Sequence, residues 1–434
     1  MRALTLLLVL LVPLTASAQI TFERTYGGPW KDKGYSVTQT DGVYVVAGHT
    51  YSFGPGGSAV YLIRTDAWGD ALWTRTYGGS GHDCGYSVEQ TNDGGYVIGG
   101  YTSSFGAGSY DAYLVKTDAT GDTVWTRTYG GSGEEYGESV KQTGDGGYVI
   151  AGHTDSFGAG NDDVYLIKTD ATGDTVWTRT YGGSDDDYGY SVQQTGDGGY
   201  IIAGYSASFA PNNELVYLIR TDALGDTLWT RTYGGLGEDH GYSVEQTGDG
   251  GYVIAGYTES FGGDGEVYLI RTDALGDTLW TRIYGGSYVD EGFSVGQTTD
   301  GGYIIAGSNE SVLTGNIEVY LIKTDADGYV QIGGDSYEIP RPEYQYLAQN
   351  HPNPFGSVTT IAYSLAGPTK VRVAVYDIQG ARVRELASRA ASAGLHQVVW
   401  DGRDGRGIEV GSGIYFCRLE AGEFTETRRM VLLR

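Results

Sequence analysis

The nine-residue stretch TLWTRTYGG, Thr227–Gly235, returns along this chain in nearly the same words. The tyrosine before its glycine pair stands at Tyr26, Tyr77, Tyr129, Tyr181, Tyr233 and Tyr284, a spacing of 51, 52, 52, 52 and 51 residues. So regular a period is the mark of one supersecondary unit stacked on its own copies. Each unit holds four strand-like runs, as in Gly241–Thr247, Gly251–Thr258, Glu266–Asp273 and Asp277–Tyr284, separated by the turn signals TGDG, ESFGGDG and ALGD. Glycine, at 72 of 434 residues, argues against long helices, because it destabilises a helix interior by roughly 0.5–1 kcal/mol relative to alanine. Four short strands in roughly fifty residues fit a propeller blade better than a solenoid coil. The expected fold is therefore all-β: a six-bladed β-propeller of four-stranded blades, followed by a small immunoglobulin-like β-sandwich.

The segments Trp125–Gly137 (WTRTYGGSGEEYG), Gly146–Thr154 (GGYVIAGHT) and Val164–Trp177 (VYLIKTDATGDTVW) resemble the β-propeller repeats of secreted bacterial proteins. The last of them also looks like the strand-turn-strand of quinoprotein-type propellers, which implies a tryptophan docking blade on blade. The likeness covers roughly residues 20 to 330; the family name suggests seven blades, and the residues here count to six. The sixth unit runs from Gly292 to Asp325 and then loses its Trp strand, while the N-terminal ITFERTYGG carries Phe22 in the Trp place. Ile20–Tyr26 is thus expected to be the outer strand of the last blade, hiding both open edges.

Residues 1–18 combine Arg2, the apolar run Ala3–Leu14 and Ala16-Ser17-Ala18, and are expected to be a secretory signal peptide, too short for a spanning helix. The propeller is assigned to residues 19–330, a linker to 331–344 and the sandwich to 345–434. Net charge is −26, yet residues 345–434 hold 11 Lys and Arg against 8 Asp and Glu, so the acidity lies wholly in the first part. That balance excludes nucleic acid as the partner, which needs clustered Lys and Arg. No integral membrane segment is expected in the mature chain. Cys84 and Cys417 fall in different domains and are expected to be unpaired.

The C-terminal stretch has its own pattern of alternating strands with Gly and Asp turns, enough for about seven strands. Its elements are Asn353-Pro354-Phe355, Tyr376-Asp377 with Gly380, Trp400-Asp401-Gly402, Gly413-Ile414-Tyr415 and the terminal Arg429–Arg434. They resemble the C-terminal sorting domain of type IX secretion cargo and the related immunoglobulin-like domain of flagellar hook-capping proteins. Arg429 and Arg434 stand where lysine is frequent in that family, and the charge is kept. The resemblance implies a route through the periplasm, recognition of residues 345–434 by outer-membrane secretion machinery, and a secreted or cell-surface destination.

Within the blades, basic residues recur at Arg64, Lys116, Lys168, Arg220, Arg271 and Lys323, expected to pair with the equally recurrent Asp66, Asp118, Asp170, Asp222, Asp273 and Asp325. An acid recurs in the loop that leads inward: Asp32, Asp83, Glu135, Asp187, Asp239 and Asp290. These six are expected to ring one mouth of the propeller, either to bind a cationic or hydroxylated ligand or to accept hydrogen bonds from their own Gly-rich loops. Symmetry breaks on the same face at His49, Tyr101, His153, Tyr205 and Tyr257, and at the residues after the ring acids. Such side chains suit an extracellular glycan or protein ligand. No cofactor is expected, calcium at the acid ring is left open, and no HExxH, GxSxG or zinc set occurs. The expected function is a secreted or surface binding module without catalytic residues; a glycan hydrolase or lyase at the acidic face and a purely structural surface protein are the alternatives.

Overall fold

The computed structural model describes residues 22–434 apart from 23, 41, 211–212, 263–264, 287–288, 311–316, 331–345, 348–349, 351–352, 366, 368, 392–393 and 423. The proposed signal peptide lies outside the described residues, among which there is no helix. The repeats form consecutive antiparallel sheets: five four-stranded ones at Asp32–Tyr77, Asp83–Tyr129, Glu135–Tyr181, Asp187–Tyr233 and Asp239–Tyr284, then a three-stranded one at Asp290–Lys323. Strands pair in chain order within each blade, and the first strand is bulged after its glycine, as between Gly241 and Ser243.

The conserved wording of the repeat is explained at the joint between blades. In the fifth blade the carboxylate of Asp273 accepts the backbone N–H groups of Leu275 and Asp277, both at 2.9 Å, closing the turn before the outer strand. Gly276 in that turn has φ 78°, and a Cβ there would also sit 2.8 Å from the Trp229 ring of the preceding blade. Glycine is thus required both by backbone and by neighbour. Trp229 meets Tyr252 of the fifth blade edge-on at 5.9 Å, with the Arg231 guanidinium 5.5 Å from its ring. Arg231 pairs with Asp277 at 3.3 Å, and the Tyr233 hydroxyl donates to the Gly276 carbonyl at 2.7 Å. Every landmark of TLWTRTYGG grips the next blade.

Beneath that grip lies an apolar core shared by two blades. Ile201, Ala203, Val216 and Leu218 of the fourth blade are fully buried against Tyr252 and Ile254 of the fifth. Equivalent cores fill all five joints between consecutive sheets. Of the basic residues of the third strands, Lys116, Lys168, Arg220 and Arg271 lie buried beside them while Lys323 is exposed, and the partners are not the expected ones. Lys116, Lys168, Arg220, Arg271 and Lys323 reach Asp93, Asp145, Asp197, Asp249 and Asp300 in the first hairpin turn of the same blade. The Asp118 and Asp273 type of acid is spent instead on its own turn.

A sixth joint, between the last blade and the first, is absent among the described residues. Val319 and Leu321 of the last blade, counterparts of the buried Val267 and Leu269, are 90% and 66% exposed, and Val37 of the first blade is 66% exposed. The described part of the N-terminal segment lies on the first blade, where the outer strand of a preceding blade would lie. Arg24 pairs with Asp70 at 3.2 Å, and the Tyr26 hydroxyl donates to the Gly69 carbonyl. This described part is not paired with the third strand of the last blade, whose sheet has three strands among the described residues; Ile20, Thr21 and Glu23 of the expected closing strand lie outside them.

The C-terminal unit packs a three-stranded sheet (Tyr346–Leu347, Thr359–Leu365, Gly394–Trp400) and a four-stranded one (Thr369–Tyr376, Arg382–Ala391, Gly413–Ala421, Phe424–Leu432) around Trp400. Trp400 is fully buried, touches Phe355 and Tyr415, and donates its indole N–H to the Arg403 carbonyl at 2.9 Å. The Asn353 amide oxygen accepts the Val431 N–H at 2.7 Å, and Arg434 donates to the Gly402 carbonyl at 3.0 Å. The motif residues therefore fasten the chain's last strand into the sandwich. Cys84 and Cys417 are free and buried.

Two stability measurements follow from the joints. Trp229→Ala should cost about 2 kcal/mol in thermal or denaturant melts, less than for a fully buried tryptophan because the ring is half-exposed. Val319→Lys should leave the melting temperature within about a degree, while Val267→Lys, which buries the same charge in a joint, should lower it by many degrees; equal effects would mean that the last face is covered in solution.

Candidate functional site

The loop joining each outer strand to the next inner strand must turn inward over a Gly-Gly pair, and the six recurrent acids hold it there. Asp83 accepts the Gly79 N–H at 2.9 Å and the Ser104 hydroxyl at 2.7 Å, together with the Thr102 hydroxyl. Glu135 takes Gly131 N–H at 2.9 Å and the Thr154 hydroxyl at 2.8 Å, and Asp187 takes Gly183 N–H at 2.8 Å and the Ser208 hydroxyl at 2.7 Å. Asp32, Asp239 and Asp290 repeat the arrangement with Gly28, Gly235 and Gly286. Apart from half-buried Asp32, all are 0% exposed. Burial pushes Asp239 up to about 6 and raises Asp187 and Asp290. Instead of facing a mouth, these acids latch one loop of the blade to another.

The asymmetric residues do come together. At the end of the second strands, Tyr101, His153, Tyr205 and Tyr257 alternate with Tyr136, Tyr188 and His240, the residues that follow the ring acids. Centroid separations run 5.1 Å for Tyr101–Tyr136, 4.7 Å for Tyr136–His153, 4.0 Å for His153–Tyr188, 4.9 Å for Tyr188–Tyr205, 4.4 Å for Tyr205–His240 and 6.0 Å for His240–Tyr257. The result is a continuous girdle of rings from the second blade to the fifth. His49, at its near end, touches Tyr35 and Tyr51 and lies 3.6 Å from the Cys84 sulfur. Burial pushes His153 down to about 3, so its imidazole is neutral.

Inside the girdle a second set of side chains projects from the first strands: Tyr35, Tyr86, Glu138, Tyr190, Tyr242 and Phe293. Where aromatics are adjacent they touch, as in Tyr35–Tyr86 at 5.2 Å and Tyr190–Tyr242 at 5.3 Å. Glu138 interrupts the set, and a cavity of about 370 Å³ opens around it. Its walls are Tyr86, Tyr136, Tyr188 and Tyr190, with His153, and its remaining acids are Glu134, Asp155 and Asp162. Desolvation among these rings pushes the Glu138 carboxyl up to about 7. The clue to Glu138 was present in the sequence: Gly137-Glu138 replaces the Gly-Tyr or Gly-Phe pair of every other repeat.

One further group has metal-ligand geometry among the described residues. Glu214, Glu238 and His240 bring one ligand atom each within 4.8 Å of one another. His240 already contacts Glu214 through Nε2 and lies 3.1 Å from the Tyr242 hydroxyl through Nδ1.

Fold and site together define an all-β protein of propeller-like blades with an immunoglobulin-like C-terminal domain. Residues 355–423 match the family of FlgD Ig-like domains. Regulatory protein FlaEY of Caulobacter vibrioides is 26% identical over 229 residues, which cover 44% of this chain and 24% of that protein; the chain thus spans about a quarter of that relative's length. Among solved structures, PorZ of Porphyromonas gingivalis, described as an essential bacterial surface component of the type-IX secretion system, is 13% identical with a TM-score of 0.38, covering 95% of this chain and 61% of that one. Sqt1 from Chaetomium thermophilum is 12% identical with a TM-score of 0.41, covering 93% and 97%. No helix among the described residues is long and apolar enough to cross a membrane.

Glu138 also leaves a signature in stability. The folded protein keeps, up to about pH 7, a proton that an ordinary carboxyl with a value of 4.5 releases earlier. Its contribution to stability therefore falls as pH rises from about 4.5 through 7. Glu138→Gln should raise the melting temperature by several degrees at pH 8 and by little at pH 4; a pH-independent difference would contradict the raised value.

Proposed function

We propose that this chain is an exported surface or extracellular protein whose blades bind a ligand without turning it over and whose C-terminal domain is its address. The observation that carries the binding half is the break in repeat symmetry at Glu138. Repeats that differ in only a few positions have placed four acids, a neutral histidine and four tyrosines around one cavity, and a purely structural array has no use for the exception at Glu138. Glu138 destabilises the folded state at neutral pH, a cost of the kind that functional sites bear. The fixed, partly stacked walls suit recognition, with aromatic faces for contact and a few polar atoms for orientation.

The address half is supported by the FlgD-type domain match and by the fastening of the final strand. A terminal Arg434 held against the Trp400-Asp401-Gly402 turn makes the folded end of the chain a single rigid epitope. Recognition of that epitope by an outer-membrane translocon would follow transfer across the inner membrane by residues 1–18. Expression in the native host of a chain lacking residues 345–434 checks this half: the truncated protein should collect in the periplasm, and undiminished arrival at the surface would refute it. For the binding half, surface adhesion or ligand capture by the full chain should fall at least tenfold on Tyr136→Ala with Tyr188→Ala.

A further inference from the structure

We propose that the cavity around Glu138 is a receptor for an organic cation, an alkylammonium or guanidinium group carried on a larger ligand. The inference rests on the reading of this mouth as a binding site and names the chemistry it selects.

Charge comes first. Four carboxyl groups line the cavity, and neither lysine nor arginine does. The hydrogen bonds these acids accept come from neutral donors: Asp162 from the Tyr188 hydroxyl at 2.7 Å, Glu134 from the Tyr136 hydroxyl at 3.1 Å, and Asp155 from the Glu134 N–H at 2.5 Å. Glu138 is raised by its burial. In the joints, by contrast, acids of the hairpin turns have lysine or arginine partners. The negative potential of the cavity is therefore left for a ligand to neutralise.

His153 provides an independent pointer. It is 7% exposed, held between the Tyr136 and Tyr188 rings, and lines the cavity, yet its Nδ1 has no hydrogen-bond partner. A neutral imidazole nitrogen left unpaired and covered is costly, and a ligand N–H that turned the ring toward the cavity would satisfy it. The walls decide which cation. The described acids here, with His153, bring no three ligand atoms within 4.8 Å, as a metal ion would want; that arrangement occurs at Glu214, Glu238 and His240 instead. Tyrosine faces with acids dispersed among them suit a diffuse charge on an apolar stem, where ring quadrupoles and carboxylates act together. A volume of about 370 Å³ admits a lysine or arginine side chain or one amino sugar.

Glu138 is also the group that couples occupancy to pH. Facing it are Tyr35 from the first blade, Tyr86 and Cys84 from the second and Tyr190 from the fourth, all raised by burial and neutral near pH 7. From its own blade come neutral His153 and Tyr136, with Glu134 and Asp155, and Asp162 stands at the rim. A bound cation favours the ionised carboxylate, so binding should release a proton below neutrality and tighten as pH rises from 6 to 8.

Titration calorimetry on the full mature chain tests the proposal with two ammonium probes, Nα-acetyl-lysine methylamide and methyl glucosaminide, and with their N-acetylated neutral counterparts. An ammonium probe should bind at least tenfold more tightly than its neutral counterpart, gain affinity between pH 6 and pH 8, and lose at least tenfold in Glu138→Gln. Which probe binds shows whether the cation comes from a polypeptide or an amino glycan. Equal binding of charged and neutral probes, abolished by Tyr136→Ala, would overturn the cation assignment while leaving the binding site in place. Binding of no probe, with adhesion of the full chain unchanged in the Tyr136→Ala and Tyr188→Ala variant, would overturn both.

Discussion

Everything in the blade array depends on one apolar joint, made by the two middle strands of a blade and covered by the next. A four-stranded sheet has two faces and no core of its own, so each blade must lend one face to the blade before and one to the blade after. Side chains such as Val267 and Leu269 are fully buried for that reason, and the same positions in the last blade stand open to water. The polar wording of the repeat is subordinate to this contact. Trp, Arg and Tyr of the outer strand reach across to the next turn, and Gly276 leaves the space in which the tryptophan rests.

Because the joint fixes the framework, the loops above it are free to differ, but only after their backbone has been secured. The six recurrent acids do the securing: each satisfies an N–H of the Gly-Gly segment and, in the internal blades, a hydroxyl of the loop across. A loop held this way places the following residue in one position in every blade. Changing that residue from Cys to Tyr to His alters the girdle without moving the scaffold. Glu138 exploits the same rigidity two residues further along the strand, where its carboxyl is held among aromatic rings beside the cavity.

The fold was legible in the sequence because period, turn chemistry and strand patterning agree on one answer. TLWTRTYGG could be recognised as a structural part, and the N-terminal copy as the counterpart of the missing last strand, from spacing alone. The partner of each third-strand base was not legible. Asp118 is near Lys116 in sequence, but its carboxylate is consumed by its own turn, and Asp93 is brought close only by strand pairing. The candidate site was half legible. The variable positions at Tyr101, His153, Tyr205 and Tyr257 stand out because they differ between repeats, whereas Glu138 lies within a strand, where only the packing of neighbouring blades shows what it faces. The burial of the ring acids depends on hydroxyls some twenty residues away, which no linear spacing displays.

An array held by neighbour contacts does not melt as a block; it frays from whichever blade has one joint instead of two. Among the described residues both terminal blades are of that kind, so amide protection should be lowest at the two ends and should rise toward the third and fourth blades. The cavity around Glu138 lies between the second and fourth blades, in the stretch with the deepest protection on either side. Placing the strained carboxyl there lets intact joints on both flanks absorb its cost, and the terminal blades serve as expendable shoulders around it.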